Sequence, residues 1–320
     1  MEIKHYYLSG RNGAWLGQNG GGEENVLRWY DVRMEENEAE LSKLDLFLSD
    51  LGVDRETVNF CTVPVRFPGV EVSGSGVFLR FPLRPQWNSE RACYVMILCM
   101  KGALVSIGPE RALLFDRVRQ RLEGGSLPAE PSSQALLFFI MDVCTDISTL
   151  QYMAARSAVE ALADRLDDEP DNLRQDELIA TRRRVSRLYS QFEDQHYCMG
   201  LLQGMQAQNL PFSHLKTELR DILDSQNHVV RSQDQLETRL RDLHNDCLLH
   251  AQRKTDYRLR VLTVLTSLCM PLSVIAGIYG MNFHFMPELE WKFGYFFVLG
   301  LMISISVSML VFFFRRGWFK

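Results

Sequence analysis

The sequence predicts an α/β N-terminal cytosolic domain followed by a long helical stalk that continues into a two-helix transmembrane domain. Three observations predict it. Residues 261–287 and 293–314 contain no Asp, Glu, Lys or Arg, and about 20 mostly apolar residues suffice to cross a bilayer as a helix. Between Ser213 and Tyr279 the only proline is Pro271 and the only glycine Gly277, so the stalk and the first span read as one helix. Before residue 131, short β-rich runs alternate with amphipathic stretches and turn residues, the pattern of a mixed α/β fold.

The α/β domain takes residues 1–131. Residues 26–32 read as a strand, and 35–51 as an amphipathic helix stopped by Gly52. Further strands are expected at 57–65, 76–81, 92–100 and 103–107, the last two joined by Lys101-Gly102 as a hairpin. Pro109 then opens a helix running to about residue 122. Gly20-Gly21-Gly22 and Ser73-Gly74-Ser75-Gly76 lack the Lys-Ser/Thr and the glycine spacing of phosphate loops, so they read as turns. An antiparallel helical hairpin occupies 132–210, with arms at 133–166 and 173–208 and Pro170 stopping continuous helix. Its acidic tip, Asp167 to Asp171, reads as a solvated turn, with cation attraction as the alternative.

The stalk, 211–260, has Ser213 as its N-cap. Leu219, Ile222, Leu223, Val229, Val230, Leu236, Leu240, Leu243, Cys247 and Leu248 recur at a period near 3.5. With the first span it forms a rod on the order of 100 Å long, able to carry a signal from the cytosol to the outer membrane face.

Composition narrows the function. The net charge of -5 is mild, which gives no reason to expect a nucleic-acid partner. Seven cysteines (Cys61, Cys93, Cys99, Cys144, Cys198, Cys247, Cys269) are scattered with no Cys-x-x-Cys pair, arguing against a disulfide framework or a zinc site and for reduced, cytosol-facing thiols. The N-terminus has no apolar signal segment. No Ser/His/Asp or Cys/His constellation stands out, and His244 and His250 are poorly spaced for one helix face, so an enzyme is not expected.

The membrane part divides into a first span at 261–282, an outer loop at 283–292, a second span at 293–314 and a basic tail at 315–320. Arg253, Lys254, Arg258 and Arg260 precede the first span, and Arg315, Arg316 and Lys320 follow the second. Positive flanks lie on the cytoplasmic side, so both termini are expected inside. Two helices leave no lumen between them. Any path for an ion therefore needs an oligomer, and the stalk's heptad-like pattern offers a means of assembling one. The first span is the pore-lining candidate, because its face of Leu259, Leu262, Thr266, Met270 and Ser273 carries small polar groups between apolar ones. The bland alternative is ordinary helix packing.

Gly280-Met281-Asn282 after Tyr279 and before Phe283 closes the first span. With Met270-Pro271-Leu272-Ser273, Ala276-Gly277-Ile278-Tyr279, Met286-Pro287-Glu288-Leu289 and Trp291-Lys292-Phe293-Gly294-Tyr295, it resembles the CorA family of divalent-cation channels of the Gly-Met-Asn type. The match is close from residue 254 to 320 and architectural before that. The resemblance implies a homopentameric funnel in a cell's inner (plasma) membrane, with Mg2+ as usual substrate and Co2+ or Ni2+ also carried. It implies Gly280, Met281 and Asn282 as selectivity filter and Ser273, Met270, Thr266, Leu262, Leu259 and Asp256 as pore positions below. Ser273 stands where the family usually has threonine. Asp221 or Asp224 is the implied regulatory metal ligand, while the family's His-Pro segment is not found.

The chemistry suits that role. Mg2+ sheds water reluctantly, so a neutral ring of Asn282 amides and Gly280 carbonyls can hold the hydrated ion without trapping it. Glu288 and Glu290 of the outer loop would concentrate cations at the mouth. Rings of Met270, Leu262 and Leu259 would stop ions by dewetting, until loss of cytosolic metal lets the stalks part. Two other readings stand beside this one. The first is a ZntB-like Zn2+ transporter, with or without proton coupling, which His284 would suit; the second is a membrane-tethered cytosolic sensor. The expected partners are further copies of the chain, membrane lipid and divalent cations, with no cofactor beyond a transported or regulatory ion.

Overall fold

A computed structural model describes residues 1–9, 15–17, 26–35, 37–62, 67–110, 112–125, 132–170, 174–204, 216–281 and 291–318. The chain forms two compact units, Met1–His244 and Asn245–Lys320.

The first unit is built on a seven-stranded mixed sheet. Its strands are β1 (Glu2–Ser9), β2 (Trp15–Gly17), β3 (Val26–Arg33), β4 (Gly69–Val72), β5 (Val77–Leu83), β6 (Cys93–Met100) and β7 (Ala103–Gly108), in the order β2-β1-β3-β7-β6-β5-β4. Among the described strands, only β3 and β7 pair in parallel. Side chains alternate between faces along each strand. On β3, Leu27 and Trp29 enter one core while Tyr30 and Val32 enter the other. On one face lie α1 (Glu38–Asp50) and α2 (Arg55–Thr62), burying Leu44, Leu48, Val58 and Cys61 against Phe78, Leu98 and Ile107. On the other, α3 (Leu114–Glu123), α4 (Ser133–Asp168) and α5 (Gln175–Gly204) bury Phe115, Leu136, Met141 and Met199 against Leu79, Val95 and Leu104. Covering both faces leaves β5 buried at every position, which is why Val77–Leu83 does not alternate apolar and polar.

The β6–β7 hairpin forms where Lys101-Gly102 predicts it, with Met100 opposite Ala103 and Gly102 at φ 77°. The segment expected as a strand at 57–65 is instead helical as far as Thr62. Asp54 caps it, accepting from the Thr57 N–H at 2.9 Å and the Thr57 hydroxyl at 2.9 Å. Thr57, Val58 and Cys61 then fall on one buried helical face, and that burial overrides the β preference of threonine and valine. Residues 63–66 lie outside the described chain, as does Gly20-Gly21-Gly22. β1, β2 and β4 were not expected, and α3 starts at Leu114 rather than at Pro109.

Ser73-Gly74-Ser75-Gly76 is the β4–β5 turn, closed by Ser73 N–H to Gly76 O at 2.9 Å. A Cβ on Gly76 would lie 2.1 Å from the Cys99 carbonyl, so only glycine fits there. The turn's hydroxyls contact Asp54 and Thr57, which leaves it a structural corner.

α4 and α5 run antiparallel. Ser148 Oγ donates to Gln195 Oε1 at 2.9 Å, Gln191 Nε2 to Gln151 Oε1 at 3.2 Å, and Arg165 Nη1 to Glu177 Oε1 at 2.7 Å. The paired numbers rise on one arm as they fall on the other. Following them, α6 (Lys216–Tyr279) is one helix of 64 residues. Leu219, Ile222, Gln226, Val229, Gln233, Leu236 and Leu240 are all buried, spaced alternately three and four apart. Gln226 Nε2 contacts the Phe192 carbonyl at 3.5 Å, and Gln233 Nε2 donates to the Val185 carbonyl at 3.0 Å. From Leu219 to Leu240 this stripe of the stalk is therefore buried within the chain, with Gln226 and Gln233 bonded to α5, while Leu248 farther along is exposed.

Candidate functional site

Among the described residues, three helices are long and apolar enough to cross a membrane by length and composition: α4, α6 and α7 (Gly294–Arg315). Burial separates them. The apolar window of α4 is 67% buried in the first unit, against 0% for that of α6 and 6% for that of α7. α4 is thus a core helix, and its Asp142 and Asp146 interrupt the apolar run and bind Arg121 at 3.1 and 2.6 Å. Among the described residues the apolar windows of α6 and α7 are left largely uncovered, which in water would be costly.

Within the second unit, α6 and α7 each carry one half-covered stripe. On α6 it comprises Val264, Ser267, Leu268, Pro271, Leu272, Ile275 and Tyr279; on α7, Val298, Met302, Ile305, Ser306 and Met309. Both repeat at three and four residues, as one face of an α-helix does. Asp256, Leu259, Leu262, Thr266, Met270, Ser273 and Gly280 are exposed without exception. At 3.6 residues per turn they centre about 180° from the covered stripe of α6. The seven residues singled out from sequence therefore share one face, and it points away from the half-covered one. A shallow groove along it is lined by Thr266, Ser267, Cys269, Met270, Ser273 and Val274.

The chemistry of this face is mixed. Thr266 Oγ1 donates to the Leu262 carbonyl at 2.9 Å and contacts the Thr263 carbonyl at 3.1 Å, while Thr263 Oγ1 donates to Leu259 at 2.8 Å. Their protons are used inside the helix, and their lone pairs remain to accept from water. Pro271 has no N–H, so the Ser267 carbonyl loses its usual partner, yet the helix runs on to Tyr279. There it closes: Gly280 N–H donates to the Ala276 carbonyl at 2.9 Å and Met281 N–H to Ile278 at 3.2 Å. A Cβ on Gly280 would lie 3.0 Å from that Ala276 carbonyl. Asn282, His284, Glu288 and Glu290 lie outside the described residues.

At the other end, Arg253, Lys254, Arg258 and Arg260 are exposed on α6 around Asp256. After α7, Arg316 sits over the Phe312 ring at 5.6 Å and Trp318 packs on Phe313 at 5.1 Å. These are the charged and aromatic flanks that a membrane interface favours.

Asp221 and Asp224, expected to bind a regulatory metal, are exposed on α6, and Asp224 lies 4.0 Å from Arg220. Among the described residues no three His, Cys, Asp or Glu side chains group as metal ligands, so one copy does not bring a second ligand set to either aspartate. Sequence reading passed over Gln226 and Gln233 because they are polar. Their signal was position, since both fall on the seam's heptad. Six cysteines are buried and Cys269 is exposed; burial pushes the thiols of Cys61, Cys99, Cys144 and Cys198 up to about 12, which keeps them protonated and unreactive.

A family model described as "CorA-like Mg2+ transporter protein" matches residues 24–316. The chain is 41% identical over 104 residues to the putative metal ion transporter YfjQ of Bacillus subtilis, covering 32% of each protein. It is 27% identical over 229 residues to the cobalt/magnesium transport protein CorA of Thermotoga maritima, covering 70% of this chain and 64% of that one. The matched stretches thus span 32% and 64% of these two relatives' lengths. Among solved structures, the complete CorA magnesium transporter of Methanocaldococcus jannaschii superposes with a TM-score of 0.81 at 17% identity over 99% of both chains. That likeness is one of fold, and it extends over the α/β domain, the long helix and the C-terminal apolar helix.

Proposed function

The chain belongs to the CorA-like Mg2+ transporter family, and we propose that it carries divalent cations, Mg2+ foremost, into the cell through a membrane pore built by five copies. One observation carries this reading. The face of α6 bearing Asp256, Leu259, Leu262, Thr266, Met270, Ser273 and Gly280 is uncovered and lies opposite the half-covered stripe, the disposition a helix needs to line a shared path.

In this reading α6 spans the inner (plasma) membrane as its C-terminal part and α7 returns, with both chain ends cytoplasmic and the basic flanks inside. A hydrated ion meets Glu288 and Glu290 first, then a ring of Asn282 amides and Gly280 carbonyls, flanked by Met281. Neutral oxygens hydrogen-bond to the ion's own waters, so entry does not require dehydration and exit is not slowed by a carboxylate. The hydroxyls of Ser273 and Thr266 continue the polar contacts. Met270, Leu262 and Leu259 form the apolar constriction that closes the path, and Asp256 receives the ion at the cytoplasmic end. A doubly charged ion gains about 4.6 kcal/mol per 100 mV of inside-negative potential, so influx needs no other energy source. Asp221 and Asp224 sense cytosolic metal together with ligands from neighbouring copies.

The deciding measurement is ion uptake by a magnesium-requiring strain carrying the wild-type chain or Asn282→Ala. Growth and uptake restored by the wild type and lost in the well-expressed variant support the reading. Uptake by neither above the strain without the chain would leave the two spans a mere anchor for a cytosolic sensor, and equal restored uptake by both would remove Asn282 from the filter. Liposome uptake of Mg2+ against Zn2+, Co2+ and Ni2+, with and without a proton gradient, separates magnesium flux from proton-coupled zinc transport.

A further inference from the structure

Where β5 runs into the segment 84–92, two guanidinium groups converge. Arg84 Nη1 donates to the carbonyls of Ser89 at 3.1 Å and Glu90 at 2.9 Å, and Arg187 Nη1 of α5 donates to the same Glu90 carbonyl at 3.2 Å. Sharing one oxygen, the two nitrogens are no further apart than those two bond lengths together. Like charges at that range repel, and a half-buried charge ordinarily has a partner. Among the described residues neither arginine forms an ion pair, and Arg84 Nε is buried with no hydrogen-bond partner.

The arrangement is held from several sides. Gln151 Nε2 of α4, itself buried, donates to the Arg84 carbonyl at 2.8 Å. Arg187 Nε donates to the Arg183 carbonyl one turn earlier. Arg183 and Arg184 flank Arg187 on the same helix face, and both are exposed. A pinned, positively charged corner with a buried donor left over has the chemistry that binds an anion. The guanidinium fork matches phosphate oxygens two at a time.

The geometry points to a binding site for a phosphate-bearing small molecule in the cytosolic unit, formed by Arg84 and Arg187 and flanked by Arg183 and Arg184. Neutralising the pair removes the repulsion between Arg84 and Arg187, so a bound anion tightens the junction of the segment 84–92 with α4 and α5.

The site is tested on the purified full-length protein in metal-free buffer, because pyrophosphate chelates the ions the chain is proposed to carry. Titration calorimetry with pyrophosphate should show saturable binding that weakens with salt. Losing one charge-assisted hydrogen-bond fork, Arg187→Gln should bind roughly tenfold or more weakly. Arg187→Lys should recover part of the affinity, and Arg182→Gln, on a different side of α5, should bind like the wild type. Melting curves report whether each variant is folded, and Arg184→Gln, which touches no backbone carbonyl, serves if Arg187→Gln is not. Three results would overturn the proposal: no saturable pyrophosphate binding, equal binding by wild type, Arg187→Gln and Arg184→Gln, or binding to vesicles containing phosphatidic acid with no response to pyrophosphate. The readout is ligand binding rather than transport, so it stands or fails separately from the ion-conduction reading.

Discussion

Replacing Leu240 with alanine tests whether the stalk seam holds one chain together or several. Leu240 is fully buried and shares its seam with Leu236, Gln233 and Val229. Truncating a buried leucine removes transfer energy and leaves a cavity, at a cost of about 2–5 kcal/mol. The unit containing it runs from Met1 to His244, a size at which each kcal/mol lowers Tm by about 2–4 °C. A loss near 3 kcal/mol should therefore lower the first transition by about 6–12 °C. The assay is calorimetric melting of the purified full chain, run alongside light scattering to read the number of copies. Leu240→Ala should melt earlier while keeping its oligomeric state. Gln233→Leu should change little, because it removes one hydrogen bond to Val185 together with an amide oxygen that has no partner. Dissociation into single chains with an unchanged melting point would refute the reasoning, since it would mean that the seam faces other copies.

Three further outcomes follow from the same structure. Leu259→Ser with Leu262→Ser, on the exposed face of α6, should raise resting ion flux in liposomes by wetting the apolar constriction; unchanged flux in a well-folded assembly would count against the gate. Burial pushes Asp54 upward, but hydrogen bonds from Ser75, the Thr57 N–H and hydroxyl, and Ser73 outweigh it and hold the carboxyl below its ordinary 3.8. A carboxyl lowered on folding contributes stability that is present above 3.8 and is lost as pH falls below it, so denaturant melts of Asp54→Ala should show a shallower stability loss in that acid range than the wild type. Gly76→Ala should fail to accumulate as folded protein, since its Cβ would collide with the Cys99 carbonyl at 2.1 Å, whereas Gly74→Ala meets no atom within 4 Å and should express normally.

Much of the membrane part was legible because its signal is compositional. A run of uncharged residues of the right length means one thing in a chain that must bury it, and the helical repeat alone places Leu259, Leu262, Thr266, Met270 and Ser273 on one face. Short β segments were harder to read. Residues 57–65 carry strand-forming side chains, yet Arg55–Thr62 is a helix because Asp54 caps it and one face packs on the sheet. β1 and β4 pair at and near the sheet's margins, where partner strands supply what local pattern does not. The seam of α6 was visible as a heptad, but its partner was not. Periodicity shows that a face is buried without saying against what.

By itself the sequence determined the order of parts: an α/β domain, a hairpin, one unbroken helix and a second apolar one, with the first span's mixed face and its closing Gly280. These follow from local rules of charge, period and helix breaking, which act within a few residues. Only the tertiary structure decided which surfaces are spent. It placed α4 in the core despite its apolar length, turned the stalk seam inward through Gln226 and Gln233, and set Arg84 beside Arg187 from positions far apart in the chain. Such pairings depend on distant segments packing together, and no local pattern encodes the partner.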